Sequence, residues 1–148
     1  MNRLFVVAES PALLAGMAYP DPATDWTELR RRGFERLVRL HAGDYDASPL
    51  RVDDVELEDL YGGRSPRDPV SERRRLLHAA ELAADYVASG EGVVVHCVGG
   101  TGRTGTVLVC ALRRLGLSVD DAVAAVRAHR PSWPESPWHD EVARADSV

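Results

Sequence analysis

His96-Cys97-Val98-Gly99-Gly100-Thr101-Gly102-Arg103-Thr104-Gly105 is the stretch on which the reading of this chain turns. A cysteine and an arginine bracket five residues there, three of them glycine. Upstream, Gly92-Val93-Val94-Val95 is a short apolar run of the kind that makes a fully buried strand. Downstream, residues 106–112 open an apolar helix, so the glycines occupy a strand-to-helix turn. Successive backbone N–H groups in such a turn, ending at a helix N-terminus, favour anions, and glycine lets the backbone close around them. The segment therefore reads as a phosphate cradle with a nucleophile at its floor.

Each side chain in the stretch fits that chemistry. A cysteine at a helix N-terminus is held largely as the thiolate, the form that attacks phosphorus, and Cys97 sits there. Arg103 carries a planar fork of donors that binds two phosphate oxygens at once, which lysine does not imitate. Thr104 is placed to hydrogen-bond the Cys97 sulfur and help it depart as a thiolate when water attacks a covalent intermediate. His96 is expected to orient the loop through its ring nitrogens.

Strands alternating with helices predict an α/β fold, a central and mostly parallel sheet with helices on both faces and the loop at the carboxyl end of a central strand. Strands are expected at residues 4–7, 36–40, 51–57 and 92–95. Helices are expected at 25–32 with Thr24 as cap, at 70–88, from 106, at 119–130 behind Ser118, and after the Ser136-Pro137 pair. With 148 residues, 45% hydrophobic and no linker or repeat, residues 1–148 read as one domain.

The loop resembles the signature of the cysteine-dependent protein tyrosine phosphatases, His-Cys-x5-Arg-Thr/Ser-Gly. His96, Cys97, Gly102, Arg103, Thr104 and Gly105 agree with it in type and spacing. Ala15-Gly16-Met17-Ala18-Tyr19-Pro20, then Trp26, Leu29 and Gly33, are similar to the amino-terminal pattern of the compact dual-specificity branch. The resemblance implies hydrolysis of phosphotyrosine in proteins, extending to phosphoserine and phosphothreonine in that branch, through a phosphocysteine on Cys97. It implies that His96, Val98, Gly99, Gly100, Thr101, Gly102 and Arg103 form the phosphate site, with no metal and no organic cofactor. Val98 and Thr101 replace the lysines that inositol-lipid phosphatases carry in this loop, which favours protein substrates. The glutamine that often positions the hydrolytic water in the classical branch is absent.

The family takes its general acid from an aspartate on a loop ahead of the helix that leads to the signature strand. Asp59 lies 38 residues before Cys97 (97 − 59) and ends a strand-then-aspartate pattern, Val55-Glu56-Leu57-Glu58-Asp59. Asp68 lies 29 before (97 − 68) but directly precedes Pro69. Asp59 is favoured, with Tyr61-Gly62-Gly63-Arg64 lengthening its loop; Asp53, Asp54 and Glu58 are weaker candidates.

Composition bounds the rest. No apolar run approaches the roughly 18 residues of a membrane span, and the amino terminus lacks a basic-then-apolar secretory pattern. Two cysteines make no disulfide framework and a thiolate needs a reducing compartment, so a cytoplasmic monomer acting on phosphorylated protein is expected. A net charge of −5 argues against nucleic-acid binding. All 18 basic residues are arginine, with no lysine, isoleucine or glutamine, as a GC-rich coding genome would give. Cys110, about 10 Å beyond Arg103 on the same helix, reads as core, as do Trp133 and Trp138. Arg73, Arg74 and Arg75 read as a solvated face and Arg64 and Arg67 as charges at the mouth. His41, His78, His129 and His139 lack metal-ligand spacing.

Two other classes use the same parts. A phosphate-binding module without activity would keep the loop and have no acid in reach. A sulfurtransferase or arsenate reductase would also use a thiolate in an anion cradle, the reductase with Cys110 as its resolving thiol.

Overall fold

Val93, Val94 and Val95 are wholly buried because their strand lies at the centre of the sheet and presents side chains to two covered faces. The computed structural model describes residues 4–148. Its strands are β1 (Phe5–Ala8), β2 (Leu14–Met17), β3 (Phe34–Arg39), β4 (Arg51–Asp54) and β5 (Gly92–His96), in the order β1-β2-β5-β3-β4. Only β1 runs antiparallel, to β2; the other neighbours are parallel. The expected α/β architecture is the one observed.

The helices are α1 (Trp26–Arg32), α2 (Pro69–Ala88), α3 (Gly102–Arg114), α4 (Val119–Arg127) and α5 (Pro137–Arg144). Alternation along the strands divides the core. Val94 and Leu37 pack with Trp26 and Leu29 of α1 on one face. Val93, Val95 and Val38 pack with Leu76, Ala80, Ala83 and Val87 of α2 and with α3 on the other.

Several boundaries differ from the sequence reading, each for a local reason. The α1 cap is Asp25, whose carboxylate accepts from Glu28 N at 3.0 Å, while Thr24 Oγ1 donates to Asp21 O. β2 was not expected as a strand, because alanine and glycine are poor strand formers. Gly16 is required within it: a Cβ there would lie 2.7 to 2.8 Å from Phe5, Leu108 and Thr104. β4 stops at Asp54, although Val55 and Leu57 continue to bond β3 and the residue after it through Arg39 O and Leu40 O. α4 ends at Arg127 rather than 130. α3 begins at Gly102, four residues before the apolar run, so Arg103, Thr104 and Gly105 form its first turn.

Candidate active site

The early start of α3 makes the cradle. Thr101 is its N-cap residue but its side chain caps nothing, so it does not compete with an anion for the first amides of the helix. Gly100 has φ +75°, and a Cβ on it would lie 2.8 Å from the backbone of Met17 and Ala18. No other residue type fits that position without displacing β2. Its N–H donates to Cys97 Sγ at 3.3 Å, a contact that strengthens for a thiolate, and Cys97 is almost wholly buried. Arg130 Nε donates to Gly100 O at 3.1 Å, and Tyr19 N donates to Val98 O at 2.8 Å, so the loop is held from the segments that follow α4 and β2. Gly99 is open around its Cα, and Val98 is exposed at the rim.

His96 is fully buried below the loop. Its Nδ1 faces Cys97 O at 2.9 Å and its Nε2 meets the Tyr45 hydroxyl. A carbonyl only accepts, so Nδ1 carries the proton and Nε2 accepts from Tyr45. Burial pushes the imidazole down to about 4, with Arg39, His41 and Arg103 adding to the shift, and pushes Tyr45 up to about 12. Both therefore stay neutral and fix the Cys97 carbonyl. An unfolded chain protonates this histidine near 6.5, so the unfolded state binds more protons between that value and about 4. The stability that neutral His96 contributes is complete above 6.5 and lost as pH falls toward 4. Thermal unfolding at pH 5 should occur a few degrees below that at pH 7, and the difference should shrink in His96→Asn. An unchanged pH slope in that variant would remove the explanation.

Arg103 is 4% exposed, and protein groups aim its guanidinium from one side. Nη1 donates to Leu57 O at 3.0 Å and to His41 Nδ1 at 3.2 Å, and Nη2 lies 3.6 Å from Asp59 Oδ2. The chain after β4 thus carries both a carbonyl that aims the guanidinium and a half-exposed carboxylate beside it. Asp68 is used differently: it caps α2, accepting from Ser71 N at 3.1 Å. Asp54 pairs with Arg39 through two bonds of 2.6 and 2.9 Å, and Asp53 accepts from Tyr86.

The Asp59 loop is anchored at both ends. Buried Glu72 of α2 accepts from Glu58 N at 2.8 Å and pairs with Arg75 at 2.7 Å. Glu58 accepts from Arg67 N, with the Arg64 and Arg67 side chains at 3.5 and 3.8 Å, and Ser136 Oγ donates to Arg64 O at 2.8 Å. The arginines expected at the mouth therefore tie down the loop as well.

Cys97, Arg103 and Asp59 line one cleft of about 170 Å³, together with Leu60, Tyr61, Val98, Gly99, Gly102, Glu135 and His139. A wider cleft of about 720 Å³ adjoins it at Asp59 and Arg103. Thr104 Oγ1 is buried and bonds nothing in this structure, the Cys97 sulfur included; its methyl group packs where a Gly16 Cβ would lie. Cys110 is wholly buried, with its thiol pushed up to about 12 by burial. Trp133 is buried and donates to Thr106 Oγ1 at 3.1 Å.

His41, Tyr45, Arg130, Glu135 and His139 were not among the sequence-derived site residues. No local pattern marks them; each reaches the loop from another element.

The geometry agrees with what the chain is similar to. Residues 15–117 match the family model described as "Polymorphic toxin system, DSP-PTPase phosphatase". The human protein tyrosine phosphatase type IVA 3 is 31% identical over 105 residues, 70% of this chain and 59% of that one. The tyrosine-protein phosphatase cdc-14 of Caenorhabditis elegans is 29% identical over 129 residues, 83% of this chain and 17% of that one. The chain thus spans only part of the length of these relatives. Among solved structures, Tk-PTP in its active form superposes with a TM-score of 0.66 at 28% identity, covering 87% of each chain. With the family model covering more than half of the chain, and the cysteine-to-arginine loop lying inside the matched residues, the protein belongs to the DSP-PTPase family of cysteine-dependent phosphatases.

Proposed function

We propose that the protein hydrolyses phosphotyrosine in phosphorylated proteins, extending to phosphoserine and phosphothreonine, through a phosphocysteine on Cys97. The observation that carries this reading is the joint lining of one cleft by Cys97, Arg103 and Asp59. Thiolate Cys97 attacks phosphorus in line. The amides of residues 98–103 and the Arg103 fork hold the phosphoryl oxygens of a loose transition state. Asp59 protonates the departing phenolate oxygen, and the P–O bond electrons leave with it. Tyr61, largely exposed, and Val98 offer apolar surface at the rim for the substrate's ring. Water then attacks the phosphocysteine, Asp59 takes its proton, and the sulfur leaves as thiolate. Rotation of the Thr104 hydroxyl toward Sγ would assist that departure.

Two observations weigh against the other classes. A carboxylate 3.6 Å from Arg103 supplies the acid that a mere phosphate-binding module would lack. Cys110 is sealed in the core, which argues against a resolving thiol for arsenate reduction. The need for a free thiolate supports work in a reducing compartment, the cytoplasm.

The acid assignment is tested by leaving group. A missing proton donor matters most when the departing phenolate is basic, so Asp59→Asn should slow phosphotyrosine cleavage about 10²-fold and p-nitrophenyl phosphate cleavage less. Asp68→Asn should leave the ratio of the two rates unchanged and loosen only the start of α2. The measurement is kcat/KM for both variants on both substrates; the leaving-group-dependent defect appearing in Asp68→Asn alone would reverse the assignment.

A further inference from the structure

The second half of the reaction needs something that the sequence reading did not supply. Water must be held on the face of phosphorus opposite Sγ while it attacks. A side-chain carboxamide suits this task, since it can donate and accept at once. The chain contains no glutamine and its single asparagine is Asn2, so residues 4–148 hold no carboxamide. Another polar group lining the cleft has to serve.

His139 has the properties required. It lines the cleft with Cys97, Arg103 and Asp59, is 2% exposed, and its Nδ1 is buried without a hydrogen-bond partner. Leaving a buried ring nitrogen unpaired is costly, so such an atom beside a reactive centre points to a ligand that it is built to receive. The ring is held firmly. A Cβ on Gly102 would lie 3.1 Å from its Cε1 and 3.4 Å from Nδ1, so glycine at the start of α3 is what lets the imidazole approach the loop. Helix α5 is fixed by its Ser136 cap and by Arg113 Nη1, which donates to Ala143 O at 2.8 Å and Ala145 O at 2.6 Å.

We propose that His139 holds the hydrolytic water, its Nδ1 accepting from one O–H while the other is directed to Asp59; this rests on the phosphatase reading above. The water oxygen forms the new P–O bond, the P–S bond breaks with its electron pair on Sγ, and the proton goes to the Asp59 carboxylate. Inorganic phosphate and the thiolate result. His139 stays neutral throughout, as an acceptor must. Burial and the Arg103 guanidinium on α3 press it down to about 4, against the opposing pull of Asp59. Exposed Glu135, on the segment before α5, and the Cys97 loop complete its charged surroundings.

The test is rapid mixing of wild type, His139→Phe and His139→Gln with p-nitrophenyl phosphate. Phenylalanine keeps a planar ring at this position and removes both nitrogens; glutamine restores a polar atom. His139→Phe should release about one nitrophenol per Cys97 at the wild-type burst rate, then turn over about 10²-fold more slowly. Its KM should fall with kcat, and phosphorylated Cys97 should be recovered after a denaturing quench. His139→Gln should regain turnover to within about tenfold of wild type. Wild-type steady rates in His139→Phe would overturn the proposal. So would equal loss of burst and turnover in both variants, which marks a structural residue. A wild type that releases no nitrophenol at all would instead remove the phosphatase reading itself.

Discussion

Cys97→Ser is expected to lower aryl phosphatase turnover by about 10⁴-fold or more while phosphate-like anions still bind. Replacing the sulfur leaves most of the cradle held by other contacts: Arg130 holds Gly100 O, Tyr19 N holds Val98 O, and Leu57 O and His41 aim the Arg103 fork. A serine hydroxyl at the same point is far less ionised than a thiol and is a poorer leaving group from phosphorus. Binding should therefore survive and chemistry should not. Initial rates on p-nitrophenyl phosphate, with phosphate or tungstate titrated by calorimetry, separate the two. Wild-type activity should persist in the presence of a chelator and be inhibited by vanadate, which adopts the five-coordinate geometry of transfer. A serine variant retaining most of its rate would end the covalent reading.

Arg103→Lys should lower kcat about 10³-fold with a much smaller change in KM. Lysine keeps the charge but offers a single point of donation. The native guanidinium is aimed by Leu57 O and His41 on one nitrogen, with its second nitrogen near Asp59, and presents two parallel donors to a phosphoryl group. Those contacts tighten as charge spreads over the equatorial oxygens, so their loss falls on the transition state rather than on the ground state. The lysine variant also leaves Leu57 O, in a buried position, without the donor it has now. Near-normal kcat would show that Arg103 serves only to bind.

Much of this site was legible because its central part is local. The cysteine-to-arginine spacing, the glycines and the apolar runs on either side all fall within residues 92–112, and strand, turn and helix there have distinct periods. Capping residues marked two other helices in the same way, where Ser118 and Ser136 accept from Asp121 N and Trp138 N. Failures came where a residue's environment depends on a distant neighbour. β2 was missed because Ala15 and Gly16 carry no strand preference of their own; residue 16 is glycine because Phe5, Thr104 and Leu108 crowd it. The start of α3 was read too late because glycine is a poor helix former, and here it forms the first turn.

The sequence by itself determined the α/β class, the thiol at the foot of an anion cradle and the arginine across from it, since each is written in one continuous run of strand, turn and helix with its own pattern along the chain. Tertiary structure alone decided what surrounds that cradle. Tyr45 reaches His96 across 51 positions, Leu57 and His41 reach Arg103 across 46 and 62, and Arg130 reaches Gly100 across 30. It also separated two similar aspartates, leaving Asp68 on a helix cap and Asp59 beside the guanidinium, and it turned His139 from an unremarkable residue of a short helix into a buried ring facing the cleft. The physical reason is that such contacts arise from packing helices onto a sheet, which joins segments by shape and burial, and neither leaves a period along the chain.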